Sequence, residues 1–241
     1  MNVPRYLPRY FALIPAAGVG ARLGAAVPKQ YMPLAGQAML THVLTTFAAA
    51  SMISHVFVVV SVDDGYIADL MAAAPQLQGR VTVLFHGGAS RRDSVLNGLR
   101  AIREQVGEED WMLVHDAARP GLTQGLIEHL ITTLGDDLVG GLLALPVVDT
   151  LKRGDQNARV AQTVERSALW AAQTPQMFRY SLLTRALTLA EAVTDEAGAV
   201  ELLGLQPRLV EGSPRNFKVT LPHDVALAEM FLKETHLKEN L

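Results

Sequence analysis

The sequence predicts an α/β fold with a doubly wound, mostly parallel sheet and a protruding β-hairpin arm. Three observations support this fold class. Apolar, strand-like segments alternate with helical segments, a glycine-rich loop follows the first apolar segment, and residues 147–166 have the pattern of a hairpin. Strands separated by helices are typical of parallel sheets that are covered on both faces. We therefore expect one domain over residues 1–241, with residues 147–166 as its arm.

The first half of the chain supplies most of the sheet. Phe11–Ile14 is a short apolar run typical of a buried strand, and a Gly- and Ala-rich loop through Gln30 follows it. Ser90 is placed to cap a helix whose apolar residues recur at helical spacing. The other predicted elements are helices at Met39–Ala50 and from Asp64 to before Pro75, and strands at His55–Ser61, Val81–Phe85 and Trp111–His115.

The second half continues the alternation on both sides of the hairpin. It has helices predicted at Leu122–Leu134, Ser181–Ala192, Asp195–Leu203 and His223–Lys233, a strand at Gly141–Leu145, and extended segments at Arg208–Val210 and Phe217–Thr220. The hairpin has too few apolar residues for its own core, so it must pack on the parent domain or on a second subunit. Ligands of doubly wound sheets bind beyond the carboxyl ends of the strands, here the loops after Ile14, Phe85 and His115.

Composition excludes several classes of protein. The chain has 241 residues, 49% of them hydrophobic, so it can bury a large core and is not intrinsically disordered. It has no cysteine, which excludes disulfides and thiolate chemistry and is compatible with the cytoplasmic location that we expect. A net charge of −3 argues against nucleic-acid binding. No apolar run approaches the ~18 residues of a membrane helix, and Pro15 interrupts any N-terminal signal sequence.

The loop after the first strand has the composition of a phosphate-binding loop. The small residues within Pro15–Gly24 let backbone N–H groups approach a phosphate closely. The glycine spacing is one residue too long for the dinucleotide fingerprint, and Lys29 lies between a proline and a glutamine, which excludes a Walker loop. Arg22 and Lys29 lie in this loop, and no Asp or Glu precedes Asp63, so the local charge favours an anionic ligand. The alternative is a structural loop with solvated cations.

A series of short motifs resembles those of the 2-C-methyl-D-erythritol 4-phosphate cytidylyltransferase family, which has a Rossmann-like nucleotidyltransferase fold. The matches run in family order from about Phe11 to Phe231. They are Pro15–Arg22, Pro28–Tyr31, Gly87–Gly88 with Arg91, Ser94 and Val95, Val114–Pro120, Asp149–Thr150, Thr163–Arg166, Leu169–Trp170, Gln173–Gln176, Thr194–Glu196 and Lys218–Thr220. Ala89 departs from the pattern, because this position is acidic in some relatives, so any base contact there must come from the main chain.

The resemblance implies that CTP and 2-C-methyl-D-erythritol 4-phosphate give 4-diphosphocytidyl-2-C-methyl-D-erythritol and pyrophosphate, with Mg²⁺, in non-mevalonate isoprenoid biosynthesis. The nucleophile, a phosphate monoester, is mostly dianionic near neutral pH because its second pKa is about 6. In-line attack on the α-phosphate of CTP then needs positioning and charge neutralisation rather than a general base. The sequence agrees, because it shows no obvious Ser/His/Asp or paired-carboxylate arrangement.

The resemblance also implies roles for individual residues. Arg22 and Lys29 would be catalytic, stabilising the pentavalent transition state. The nucleotide would contact Ala16, Ala17, Gly18, Gly20, Gly88, Ser94 and Ala117. The polyol phosphate would be positioned by Asp116, Arg119, Thr150, Arg166, Thr174 and Lys218. Asp116 is also a candidate Mg²⁺ ligand. In the family the hairpin reaches the other subunit, so the resemblance implies a homodimer with shared active sites.

Simpler interpretations exist for some of these residues and for the whole chain. Ser94 alone fits a solvent-facing helix residue, Asp116 fits a turn, and Arg166 and Lys218 fit surface cations. His115 is expected to be structural, since its side chain should point away from that of Asp116. Other functions that share such a loop are a ribitol 5-phosphate or other polyol-phosphate cytidylyltransferase, a molybdopterin-type guanylyltransferase, and a catalytically silent nucleotide-binding module.

Overall fold

The computed structural model, which describes residues 7–18 and 27–239 with side chains up to residue 233, alternates strands and helices. The strands are β1 (Tyr10–Pro15), β2 (Pro33–Leu34), β3 (Gln37–Ala38), β4 (Ile53–Val59), β5 (Val81–Leu84), β6 (Trp111–Val114), β7 (Gly140–Pro146), β8 (Leu151–Gly154), β9 (Val160–Val164), β10 (Trp170–Arg179) and β11 (Arg208–Glu211). The helices are α1 (Met39–Ala49), α2 (Ile67–Ala73), α3 (Arg91–Ala101), α4 (Gln124–Leu134), α5 (Tyr180–Leu189), α6 (Glu196–Glu201) and α7 (Pro222–Glu239).

Seven of these strands form the central sheet, in the order β11-β7-β10-β6-β1-β4-β5. β1 pairs in parallel with both β4 and β6, so that Leu13 lies between Phe57 and Val114. Only β10 among the described strands of this sheet runs antiparallel to its neighbours, β6 and β7. The predicted doubly wound, mostly parallel sheet is therefore confirmed.

Both faces of the sheet are covered by helices, which explains why its strands are apolar without alternation. In β1, Ala12 and Ile14 point to a core that α1, α2 and α4 cover, whereas Phe11 and Leu13 point to a second core beneath α3, α5 and α6. α7 packs separately, with Ala228 in a small cluster against Leu34 of β2. Within residues 7–18 and 27–239, no helix combines the length and apolarity that crossing a bilayer requires.

The predicted hairpin is confirmed, and it forms a sheet of its own. β8 and β9 pair antiparallel and pair with none of the seven strands of the central sheet. Their side chains are exposed or at most half-buried. The arm therefore leaves the body of the domain, as the predicted fold class requires.

The sequence prediction missed β10, which is a central strand. Its middle, Gln173–Gln176, is polar and contains Pro175, and both properties argue against a central strand. The structure accommodates them because the pairing with β7 shifts register between Ala172 and Gln176. The predicted extended segment Phe217–Thr220 pairs with no strand of the described residues; it follows a short 3₁₀ turn, and Phe217 has extended backbone angles. Asp64 does not begin α2 but accepts the backbone N–H of Ile67 at 2.8 Å, so the helix begins three residues later.

Candidate active site

A cleft of about 500 Å³ lies beyond the carboxyl ends of β1, β5 and β6, where the three predicted loops meet. The described residues that line it are Pro15, Ala16, Ala17, Gly18, Lys29, Gln30, Gly88, Ala89, Ser90, Arg91, Ser94, Asp116, Ala117, Ala118 and Lys218. Among them are three cations, Lys29, Arg91 and Lys218, and one carboxylate, Asp116. The charge of this lining favours an anionic ligand.

Small residues allow the loops after β1 and β5 to approach each other. A Cβ atom on Gly87 would lie 2.5 Å from the Cβ of Ala17, and one on Gly88 would lie 2.4 Å from the Cβ of Asp93. The buried hydroxyl of Ser94 accepts the N–H of Gly88 at 3.0 Å and donates to the carbonyl oxygen of Ser90 at 3.0 Å. Ser94 is therefore not a solvent-facing helix residue, because its hydroxyl fixes the loop that borders the cleft.

A short turn, Lys29–Tyr31, brings Lys29 to the cleft. The Lys29 ammonium donates to the carbonyl oxygen of Val219 at 3.1 Å. The next two residues anchor the turn, since Gln30 donates to the carbonyl oxygen of Ala16 at 2.6 Å and the Tyr31 hydroxyl donates to Asp64 at 2.7 Å. These contacts to Ala16 and to Asp64 fix the turn and thereby the position of Lys29. Gly20 and Arg22 lie outside the described residues.

Asp116 lies at the centre of a group of cations. Its Oδ1 is 2.8 Å from Nε of Arg91, and its Oδ2 is 2.8 Å from Nζ of Lys218 and 3.7 Å from Nε of Arg119. Burial raises the pKa of Asp116, but the charges of Arg91 and Lys218 hold that pKa well below its usual range. Asp116 is consequently an ionised carboxylate with little basicity, suited to binding hydroxyl or cationic groups rather than to removing protons.

Arg91 and Glu196 form an ion pair that the sequence analysis did not identify. The Arg91 guanidinium contacts both oxygens of Glu196, at 2.5 and 3.0 Å, and the Glu196 side chain is fully buried. Both residues lie in motifs of the family resemblance, but their positions differ by 105 residues, and no local pattern pairs them. Burial lowers the pKa of Arg91, yet Glu196 and Asp116 raise it well above its usual value, so the guanidinium stays charged.

A hydrogen-bonded set of residues supports Asp116 from behind the cleft. The Thr174 hydroxyl accepts the backbone N–H of Asp116 at 3.1 Å and lies 2.9 Å from Nδ1 of His115, whose Nε2 is 3.1 Å from the carbonyl oxygen of Arg119. His115 is fully buried, as expected of a structural residue. Arg119 also donates to the carbonyl oxygen of Asn216 at 2.8 Å. Thr174 and Arg119 thus touch Asp116 without belonging to the described lining.

Two of the predicted site residues, Thr150 and Arg166, are not brought to this cleft. Both are exposed and lie at the base of the hairpin, next to β8 and β9. They are absent from the described lining of the cleft. Within one chain, therefore, the structure joins Lys29, Asp116 and Lys218 but leaves the arm residues apart.

His115 should make the free energy of unfolding depend on pH in the acid range, and its replacement should remove that dependence. Burial lowers the pKa of His115 to about 4, against about 6.5 in the unfolded chain. As the pH falls, His115 therefore takes up a proton in the unfolded chain before it does so in the folded chain. The contribution of neutral His115 to the free energy of unfolding is complete above about pH 6.5 and is lost towards pH 4. We expect His115 to account for a loss of about 2 kcal/mol in the free energy of unfolding between about pH 7 and pH 5.

Urea unfolding at several pH values, on the wild type and on His115→Gln, measures this effect. The variant is expected to show a shallower loss of stability on acidification, whatever its stability at neutral pH. Identical pH slopes for the two proteins would show that His115 does not have the lowered pKa.

Comparisons with known proteins agree on one family. The family model described as 2-C-methyl-D-erythritol 4-phosphate cytidylyltransferase matches residues 10–234. A protein of that name from Azoarcus sp. (strain BH72) is 54% identical over 227 residues, which cover 93% of this chain and 94% of the relative.

Solved structures give the same result. A crystal structure of a 4-diphosphocytidyl-2C-methyl-D-erythritol synthase has a TM-score of 0.83 and 40% identity, covering 94% of this chain and 99% of the other. The 2-C-methyl-D-erythritol 4-phosphate cytidylyltransferase of Francisella tularensis has a TM-score of 0.77 and 32% identity, covering 92% and 99%.

Proposed function

Since the chain belongs to the 2-C-methyl-D-erythritol 4-phosphate cytidylyltransferase family, we propose that its cleft is where CTP and 2-C-methyl-D-erythritol 4-phosphate are joined. The chain is a nucleotidyltransferase of non-mevalonate isoprenoid biosynthesis, and its products are 4-diphosphocytidyl-2-C-methyl-D-erythritol and pyrophosphate. The observation that carries the site assignment is the meeting of three cations with small-residue loops at the carboxyl ends of the parallel strands.

The residues suit a reaction that needs no general base. The substrate phosphate attacks the α-phosphorus of CTP in line, a P–O bond forms, and the bond to pyrophosphate breaks. Asp116 is a poor base because Arg91 and Lys218 lower its pKa, and buried His115 is held behind the strand end. Catalysis would then come from positioning and from cations aimed at the phosphate oxygens, with Arg22 and Lys29 in that role.

The remaining assignments are part of the same proposal. Ser94 holds the Gly88 loop in place for the nucleotide, while Asp116 and Lys218 face the polyol phosphate. The nucleotide would be bounded by Ala16, Ala17, Gly18, Gly20, Gly88, Ser94 and Ala117. The polyol phosphate would be positioned by Asp116, Arg119, Thr150, Arg166, Thr174 and Lys218.

We propose that Mg²⁺ enters with CTP, coordinated by phosphate oxygens and water. Asp116, the candidate ligand of the sequence analysis, has one cation on each carboxylate oxygen, Arg91 and Lys218, so in this proposal the phosphates of CTP rather than Asp116 are the main ligands of the metal. No cluster of three or more candidate metal ligands occurs among the side chains described. Mg²⁺ commonly keeps several waters and binds through substrate phosphates, so a metal shared with CTP needs no prepared protein site.

We propose that two copies of the chain form a homodimer with shared active sites. The hairpin pairs with none of the central strands, and Thr150 and Arg166 are exposed on it. Large apolar side chains of the arm are also exposed, among them Val148 at 74% and Val160 at 65%. A second subunit would cover these groups and receive Arg166 beside its polyol phosphate.

A cytoplasmic location belongs to this proposal, because both substrates are polyanions that a hydrocarbon layer excludes.

Pyrophosphate release tests the activity directly. The purified protein is incubated with Mg²⁺ and each of the four common nucleoside triphosphates, with and without 2-C-methyl-D-erythritol 4-phosphate. We expect release only with CTP and the polyol phosphate together. Release with ribitol 5-phosphate instead would reassign the substrate, and no release with any pair would indicate a silent nucleotide-binding protein.

A further inference from the structure

We infer that Glu196 is a positioning residue: by clamping Arg91, it fixes the Asp116 carboxylate and, through it, the Lys218 ammonium. The inference deepens the proposed function and rests on it, because it concerns the residues that would hold the polyol phosphate. It begins from a row of alternating charges, Glu196–Arg91–Asp116–Lys218, which joins α6 to the wall of the cleft.

The geometry of Arg91 makes it a rigid connector. Its two terminal nitrogens hold the two oxygens of Glu196, and its Nε is directed at Asp116 Oδ1. A guanidinium is planar, so fixing one edge on Glu196 also fixes the direction of the Nε–H bond. Lys218 then contacts the other oxygen of Asp116. The carboxylate is held at both of its oxygens, by cations from two separate parts of the chain.

Glu196 lies at the start of α6, which is held firmly. The Gln176 side chain, from β10, accepts the N–H of Ala197 at 2.7 Å and donates to Asp195 at 2.9 Å, which fixes the start of α6. Asp195 in turn caps α6 by accepting the N–H of Gly198 at 3.0 Å. Glu196 is fully buried and does not line the described cleft, so any effect on substrate must pass through Arg91.

Stability alone does not account for this pair. A buried ion pair costs desolvation, and apolar side chains of similar volume are often as stabilising or more so. What a buried carboxylate supplies that an apolar residue cannot is the orientation of Arg91 towards Asp116. The simpler rival is that the pair only joins α3 to α6.

A double-mutant cycle on pyrophosphate release separates the two possibilities. Glu196→Gln keeps the shape and removes the charge, and we expect it to raise KM for 2-C-methyl-D-erythritol 4-phosphate roughly tenfold with a smaller change in kcat. When it is combined with Asp116→Asn, we expect little loss beyond that of Asp116→Asn alone, because both act through the same carboxylate.

The neighbouring Arg92 provides a matched control. It contacts Asp93 and the carbonyl oxygen of Leu187 and does not line the described cleft. Arg92→Gln should lower the melting temperature without raising KM. When it is combined with Asp116→Asn, the double variant should have the KM of Asp116→Asn alone. If Glu196→Gln does not fold, Glu196→Asp serves instead, since it keeps the charge but shortens the side chain that orients Arg91, and the same KM increase is expected.

The outcomes are distinct. Additive losses in the cycle, or a KM for the polyol phosphate that stays unchanged in the folded variant, would overturn the positioning role while the wild type remained active. An inactive wild type would overturn the proposed function and this inference with it.

Discussion

Replacing Lys29 by alanine is expected to lower turnover by on the order of 10²–10³-fold with little change in thermal stability. The ammonium lines the cleft, where it would neutralise charge that develops on the α-phosphate of CTP. Its hydrogen bond to the carbonyl oxygen of Val219 contributes roughly 1 kcal/mol to stability, which corresponds to a few degrees in a chain of this size. Initial rates of pyrophosphate release and melting curves on the same preparation measure both quantities.

Lys233→Ala is the matched control, because that lysine is exposed on α7. It should change neither the rate nor the melting temperature. We expect Arg22→Ala to behave like Lys29→Ala, since both cations belong to the same predicted loop. If the melting temperature of Lys29→Ala collapsed together with its rate, Lys29 would be a structural residue and the catalytic assignment would be wrong.

Most of the fold could be predicted because it depends on local apolar patterns. β1, β4, β5 and β6 are short apolar runs, and helices such as α3 carry a capping residue, Ser90, whose hydroxyl accepts the N–H of Asp93. β10 could not be predicted in this way. Its polar centre is stabilised by tertiary contacts, with Gln173 and Thr174 buried against Asn216, and no local pattern contains that information.

The site could be predicted only as far as motifs point to it. The family resemblance singled out Lys29, Asp116 and Lys218, and the structure brings them to one cleft. The ion pair of Arg91 with Glu196 was missed, because a pairing over such a sequence distance is decided by how α3 and α6 pack on the same face of the sheet. Periodicity and charge counts describe neighbours along the chain and carry no signal for such a pair.

Mixing two inactive variants is expected to restore activity if the sites are shared between subunits. Lys29→Ala damages the cleft, and Arg166→Ala damages the arm that would serve the other subunit's cleft. In a mixed dimer, one site receives both defects and the other receives none. At equal amounts, half of the dimers are mixed and each has one intact site, so about one quarter of the wild-type rate per subunit should return.

The control for this experiment mixes Lys29→Ala with Asp116→Asn. Both residues line the same cleft of one chain, so each site of a mixed dimer retains a defect and no recovery is expected. Subunit exchange is verified with a size tag on one variant. If exchange occurs and the Lys29→Ala and Arg166→Ala mixture stays as inactive as its parents, each chain uses its own arm or none. Arg166 would then be a surface cation without a role in catalysis, in agreement with its exposed position in the single chain.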